Sequence, residues 1–466
     1  MRIIPMVVIV VLLLAGFLRA PARGEGPAPP RYQLNRADED YRYLRDPAQR
    51  SDFWDAVKFL PLDPGGARYL SLGGEARERF EYFGNPNWGK DPQDSGYLLQ
   101  RYFLHADLHP AQHLRFFAQL QSSLESGRAV GARPTDRDEL DLHQAFVDLR
   151  LEPDPAFSFT LRAGRQELAY GSQRIVSVRE GPNVRQSFDG LRGMLRLGEW
   201  QLDGIATRPV LTRPHLFDDG TDNHRALWGI YSVLPVPHLG KGSVDLYYLG
   251  LYNRQARYDQ GSAREVRHSL GTRLWRTEPP LDYNFEALYQ WGRFGAGDIR
   301  AWTVASDTGY RWENLPLGPR ISLKADIVSG DRDRNHRGLQ TFNPLFPKGA
   351  YFSEGALIGP ANLINLDPTL TLQLTGHLVL TADWDFFWRE SAGDGIYNNA
   401  VVLVRPDRGS SSRYLGSQGQ LQLEWNPGRH LSLVAMYSHF FAGPFLRESG
   451  PGKDVDYLTT WVSYRF

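Results

Sequence analysis

From Tyr69 to the C-terminus, apolar and polar residues alternate in segments of roughly ten, separated by turn residues; this is a strand pattern and not a helical one. Residues two apart on a strand share a face, so parity tests each segment. In "LRFFAQLQSSL", Leu114, Phe116, Ala118 and Leu120 share one face, and Arg115, Gln119, Gln121 and Ser123 the other. "LVLTADWDFFWRE" sets Leu378, Leu380, Ala382, Trp384, Phe386 and Trp388 against Thr381, Asp383, Asp385 and Arg389. "ISLKADI" sets Ile321, Leu323, Ala325 and Ile327 against Lys324 and Asp326. One face suits lipid and the other water.

Candidate strands begin near Tyr69, Tyr97, Leu114, Glu139, Phe157, Asp189, Glu199, Arg225, Ser243, Val266, Asp282, Asp298, Arg320, Thr369, Leu378, Arg413, His430 and Val455, an even set of eighteen. Their connections alternate in length. Tight turns such as "HPAQH", "EPDPA", "TEPPLD" and "NPGRH" interleave with long loops at 84–96, 125–138, 168–188, 208–224, 253–265, 330–366, 391–412 and 444–454. Only "RFGAG" is short where a long loop is due. This predicts an all-β, 18-stranded antiparallel transmembrane β-barrel with short periplasmic turns and long extracellular loops. Trp275, Trp291, Trp312, Trp388 and Trp425 fall near strand ends, where interfacial girdles sit. The last strand, "YLTTWVSYRF", would pair with the first and turn Leu458, Thr460, Val462, Tyr464 and Phe466 to lipid.

Composition changes the picture in three places. The chain has no Cys, which excludes disulfides, thiolate metal sites and a lipid-modified Cys. It has 53 basic and 53 acidic residues, so no net field recruits nucleic acid. At the N-terminus, Arg2, an apolar run and small residues after it read as a signal peptide, residues 1–24. A Pro-rich and charged stretch, 25–66, reads as a periplasmic lead-in, and 67–466 as the barrel. The environments expected are outer-membrane lipid and lipopolysaccharide.

The inward face should tell what passes. Parity places Glu75, Arg77, Arg79 and Glu81 there on the first strand, then Arg101, His105 and Asp107, then Arg115, Arg162, Arg267, Arg273, Lys324, Asp383 and Arg389. Guanidinium groups bind carboxylates as planar forks, so an arginine-rich lumen favours anionic solutes, and interspersed Asp and Glu keep binding weak enough for release. The same residues, paired across strands, would simply fill the wall. No G-x-S-x-G elbow is present, and Asp383 with Asp385 is no more than a same-strand pair of carboxylates, so no enzyme and no cofactor is expected. "SGDRDRNHRG" starts like a calcium loop but has His336 at the sixth position and Phe342 at the twelfth; a basic solvated loop is expected. The long loop 330–366 is the candidate to fold over or into the pore. A general or small-organic-acid porin, a blocked barrel, and a secreted soluble all-β carbohydrate-binding or hydrolytic protein are the alternatives.

The stretches "YLSLGGEARERFEYF", "LRAGRQELAYGSQRIVSVREGPNVRQSFDG", "FNPLFPKGAYFSEGALIGPANLINL" and "LTADWDFFWRE" resemble the alginate-export family of Gram-negative outer-membrane proteins, over about Tyr41 to Phe466. The resemblance implies a monomeric 18-stranded barrel that conducts an anionic uronate polysaccharide through an electropositive constriction. It adds Arg165, Arg174, Arg179 and Arg185 as constriction residues. The terminal Phe466, with Tyr464 two before it, resembles the signature that the barrel-assembly machinery recognises.

Overall fold

The computed structural model describes residues 30–466 except 92, 238, 239 and 334. The expected signal peptide lies outside the described residues. Eighteen long strands follow one another: β1 (Tyr69–Gly84), β2 (Ser95–Ala111), β3 (Leu114–Ser126), β4 (Asp138–Asp154), β5 (Phe157–Gln166), β6 (Phe188–Leu197), β7 (Trp200–Leu211), β8 (Arg225–Val236) and β9 (Gly242–Tyr258) make the first half. The second half is β10 (Gly261–Arg276), β11 (Leu281–Phe294), β12 (Gly297–Arg311), β13 (Arg320–Val328), β14 (Leu363–Thr375), β15 (Leu378–Trp388), β16 (Tyr414–Trp425), β17 (Leu431–Ala442) and β18 (Val455–Arg465). Each pairs antiparallel with the next, and β18 closes on β1, with Glu75 opposite Arg465 and Gly84 opposite Asp456. Closure leaves no unpaired edge, the condition a sheet must meet to sit in lipid.

The strand starts fall within two residues of expectation except at β10 and β14. The expected loop 253–265 is a continuation of the β9–β10 ribbon to a tight turn, with Tyr258 opposite Gly261. Its outward residues there, such as Gln255 and Arg257, are polar and exposed, so the apolar alternation that marks a spanning strand fades before the strand ends. β14 starts at Leu363, six residues early, because Pro368 interrupts its ladder to β15 without ending the strand.

The outer face is apolar and uncovered: Leu149, Leu191, Ile230, Leu270, Val304 and Ile321 are each more than half exposed. No soluble fold leaves such a belt around its whole sheet. The inner face is polar and buried, with Arg79, Arg101 and Arg267 under 2% exposed. Trp275 departs from the expected girdle, because it shares parity with inward Arg267 and Arg273 and donates to Asp245 Oδ1 at 2.7 Å.

Apolar packing is found inside the barrel, where long loops fold inward. Residues 167–187 and 329–362 meet there: Val176 and Phe346 form a parallel bridge, and Phe188 stacks edge-on against Phe346 at 5.0 Å. "IVSV" and "FNPLF" are apolar because both are buried on every side, with Val176, Val178, Phe342 and Phe346 at most 1% exposed. Loop 330–366 thus enters the barrel as expected; the inward course of 167–187 is an addition.

The lead-in is strapped across the closing seam. Arg36 donates to Gly74 O at 2.9 Å and to Phe466 O at 2.7 Å, and Trp54 stacks on Phe466 at 4.2 Å while its Nε1 donates to Tyr464 Oη at 2.8 Å. Tyr464 and Phe466 are therefore covered by Trp54 and not presented freely to lipid as expected.

Gly164 on β5 sits at φ 134°, and a Cβ there would lie 2.2 Å from Ala145 O on β4. Gly164→Ala is expected to destabilise the barrel by about 1–3 kcal/mol, from strain of the left-handed backbone region and the overlap. Gly204→Ala on β7, where a Cβ meets nothing within 4 Å, should be near neutral. Urea midpoints of the refolded proteins check both.

Candidate permeation path

The wall's charges are arranged as ladders because inward residues on neighbouring strands face each other across 4.5–5.5 Å. On β1 and β2, Arg101 bonds Glu75 at 2.7 Å, and Glu75 also takes Arg465 Nε at 2.8 Å. Arg79 bonds Glu81 at 2.7 Å, and Glu354 of an in-folded loop at 2.9 Å. Arg77 donates to the carbonyls of Glu180 and Pro182, both at 3.1 Å. Arg101 also reaches Glu180 at 2.5 Å. Arg77, Arg79 and Arg101 thus hold loop 167–187 against the wall.

Farther round, Arg115 is forked to Asp107 and reaches Asp148 at 3.3 Å, while Arg162 takes Asp148 at 2.7 Å. Arg165, expected at the constriction, instead shares the outward parity of Leu161, which is 38% exposed, and pairs there with Asp189 at 2.9 Å. It stands an odd number of positions from inward Arg162, which turns its side chain to the other face of the sheet. Arg267 bonds Glu265 at 2.5 Å, and Arg273 bonds Asp245 at 2.9 Å. Lys324 donates to Tyr351 O at 2.9 Å, and Asp383 accepts from Gln420 at 2.6 Å. Arg389 spends its hydrogens on the carbonyls of Ala392, Asp394, Ser410 and Ser412, stapling loop 389–413. The residues named from the family resemblance divide. Arg185 binds Glu167 at 2.8 Å and Glu180 at 3.2 Å, and Arg174 lies 3.6 Å from Glu286 and 3.7 Å from Asp326. Arg179, in contrast, has no carboxylate partner among the described residues; its guanidinium lies 5.8 Å from the Phe346 ring centre.

Glu180 is the carboxylate that alternation could not find, because it lies in a loop without periodicity. Burial opposes its charge, yet Arg101 and Arg185 outweigh that and hold its carboxyl below the usual value. Asp148, Asp189 and Arg192 were missed for other reasons. Asp148 and Arg192 obey inward parity, but attention to arginines on the first strands passes over them; Asp189 shares the outward parity of Leu191, which is 52% exposed, so alternation would not place it inside. Lys348, on the second in-folded loop, also has no carboxylate partner among the described residues. Burial, then repulsion from Lys324 and Arg174, pushes its ammonium down to about 8.

A cavity of about 560 Å³ opens between the lead-in and the wall, lined by Arg42, Arg115, Arg162, Arg192, Asp148 and Asp203 among others. The lead-in enters it: Arg115 donates to Ala37 O at 2.7 Å, Arg185 to Leu34 O at 2.9 Å, and Ala37 packs on Phe117 and Phe146. A second cavity of about 340 Å³, lined by Arg225, Tyr258, Phe346 and Val401, lies on the other side of the in-folded loops.

A family model described as alginate export matches residues 68–459. The chain belongs to the alginate-export family. Porin-like barrels of this family are outer-membrane proteins. Among solved structures, OccK2 (OpdF) of Pseudomonas aeruginosa in complex with glucuronate is similar at a TM-score of 0.56 and 13% identity, covering 85% of this chain and 98% of that one. A BenF-like porin of Pseudomonas fluorescens Pf-5 gives 0.58 and 13%, covering 85% and 98%. OccAB1 of Acinetobacter baumannii gives 0.55 and 11%, covering 85% and 96%. At such identities these likenesses show the fold alone. No curated protein matches by sequence.

Asp148 is fully buried and shared by two arginines, so Asp148→Asn in this alginate-export barrel leaves Arg162 unpaired. A loss of about 3 kcal/mol is expected, read from the urea midpoint of the refolded protein. Arg115 keeps its fork to Asp107, so a fold that survives is expected to conduct.

Proposed function

We propose that this outer-membrane channel passes anionic sugars, uronate oligosaccharides in the first place, down their concentration gradient, with selection where the two in-folded loops meet. Three main-chain bonds bring those loops together: Phe346 N to Ile175 O at 2.9 Å, Ser177 N to Phe346 O at 2.9 Å and Lys348 N to Gln173 O at 3.0 Å. Arg179 and Lys348 flank that junction. The observation that carries the reading is that, among the described residues, these two cations have no carboxylate partner, whereas the wall arginines are largely neutralised by theirs. A paired guanidinium offers a passing carboxylate little; an unpaired one offers a weak, exchangeable site, which transport requires. The family's description and the glucuronate complex of OccK2 support a uronate as cargo. Assembly through Phe466 and a monomeric state belong to the same proposal. A second reading, a porin for small organic acids, is favoured by the division of the interior into cavities of about 560 and 340 Å³.

Planar-bilayer recording of the refolded chain, with oligouronates added to one side, separates the two: oligouronates should block the current, whereas block by monomeric acids alone would favour the small-acid porin. Removing one unit charge at ~4 Å is worth about 1 kcal/mol in water-like surroundings, so Arg179→Gln should lower the anion-to-cation permeability ratio roughly fivefold. Arg77→Glu and Arg79→Glu, which break loop anchors, are expected to disturb gating and noise before selectivity. If Arg179→Gln leaves the reversal potential unchanged, the selection site lies elsewhere.

Lys348 adds a pH dependence. With its ammonium near 8, it is charged at pH 7 and neutral at pH 9, so anion preference should fall across that interval. In Lys348→Gln the fall should vanish.

A further inference from the structure

At the long-loop end of β3 and β4, away from the loop junction, carboxylate oxygens of Asp138, Asp141 and Asp219 lie within 4.8 Å of one another. Asp138 and Asp141 come from the wall, and Asp219 from loop 212–219, which docks beside them. Glu139 N donates to Pro214 O at 3.3 Å, Phe217 N to Leu140 O at 2.9 Å, and Asp219 N to Asp141 Oδ2 at 2.9 Å. Like charges at this spacing repel, and nothing apolar offsets it on the loop side, since Leu216 and Phe217 are exposed by 61% and 62%. Positive charge nearby is scarce. Arg165 approaches Asp141 only to 3.6 Å and is committed to Asp189, and Arg213 meets Asp219 through its backbone N–H and Asp218 through the backbone carbonyl.

Two buried polar groups at the cluster point independently to a missing partner. Gln121, 1% exposed and directly opposite Asp141 on β3, sets its amide 3.3 Å from Asp138 Oδ2, and its Oε1 receives no hydrogen bond. Asp138, also 1% exposed, has no salt bridge among the described residues, and its Oδ1 has no donor there. A buried carboxylate oxygen and a buried amide oxygen without donors, in a ring of acids, is a cost that a cation removes and a hydrogen-bond donor does not explain. Half a turn of the Gln121 amide brings Oε1 to face the acids.

We propose that Asp138, Asp141, Asp219 and Gln121 bind a divalent cation, calcium in preference to magnesium, which fastens loop 212–219 to the barrel rim. All donors are oxygens, the ligands of hard cations. The set is irregular, drawn from two strands and a loop, which calcium's flexible coordination tolerates and magnesium's octahedral demand does not. Asp218, whose Oδ1 is likewise without a donor, supplies further negative charge beside it. The ion plays no part in the anion path proposed above, so the two readings stand or fall separately.

The full chain, refolded in neutral detergent and stripped with chelator, is titrated with calcium by equilibrium dialysis and by thermal unfolding. Wild type is expected to bind one ion with a dissociation constant of about 0.1–1 mM, the range of extracellular calcium modules. Asp138→Asn and Asp219→Asn should abolish that binding, and Gln121→Leu should weaken it several-fold. The stability order supplies a second readout: without calcium Asp138→Asn, relieved of repulsion, should melt above wild type, and at roughly 10 mM calcium the order should reverse. Absence of saturable binding to wild type, or binding to both Asn variants as tight as to wild type, overturns the proposal. A midpoint that follows pH but ignores calcium overturns it as well, in favour of a shared proton. Should Asp138→Asn fail to fold, Asp219→Asn in the loop gives the same reading.

Discussion

Every backbone N–H and C=O that meets hydrocarbon must find a partner within the protein, because each one left open costs several kcal/mol there. In this chain the closing ladder between β18 and β1 meets that demand, and the rest of the architecture follows from it. Closure converts alternation into an inside and an outside. It also makes the last residues of the chain structural, which is why Arg36 and Trp54 converge on Phe466 and Tyr464. A strap over the seam protects the one place where two ends of the polypeptide, distant in sequence, must meet.

The second constraint is charge balance in a confined space. A lumen crowded with guanidinium groups would repel itself and bind anions too tightly to release them. Most of the wall arginines instead share carboxylates: Asp148 serves Arg115 and Arg162, and Glu180 serves Arg101 and Arg185. Part of this pairing anchors loops, so the same ion pairs that neutralise the wall also shape the interior. Free positive charge is left on the loops, at Arg179 and Lys348.

The lead-in adds a third element. Residues 34–37 reach the wall arginines Arg115 and Arg185 through main-chain carbonyls, so a short segment occupies donors that would otherwise face the cavity. A carbonyl is a weak competitor for a guanidinium compared with a carboxylate.

Strand number, closure, the two faces of the sheet and the inward position of Glu75, Arg77, Arg79, Arg101, Arg115 and Arg162 are legible in the residues alone, because period-two alternation is a local property of the chain. The inward turn of Trp275 obeys the same rule and was hidden only by its place at a strand end. The partners are different. Glu180, Glu354 and Ala37 lie in segments without periodicity, and they reach the wall through contacts separated by tens to hundreds of positions. Which arginines are neutralised, and that Arg179 is not, depends on how two loops cross inside the barrel. Alternation dictates a direction for each side chain, but only the folded loops decide what stands opposite it.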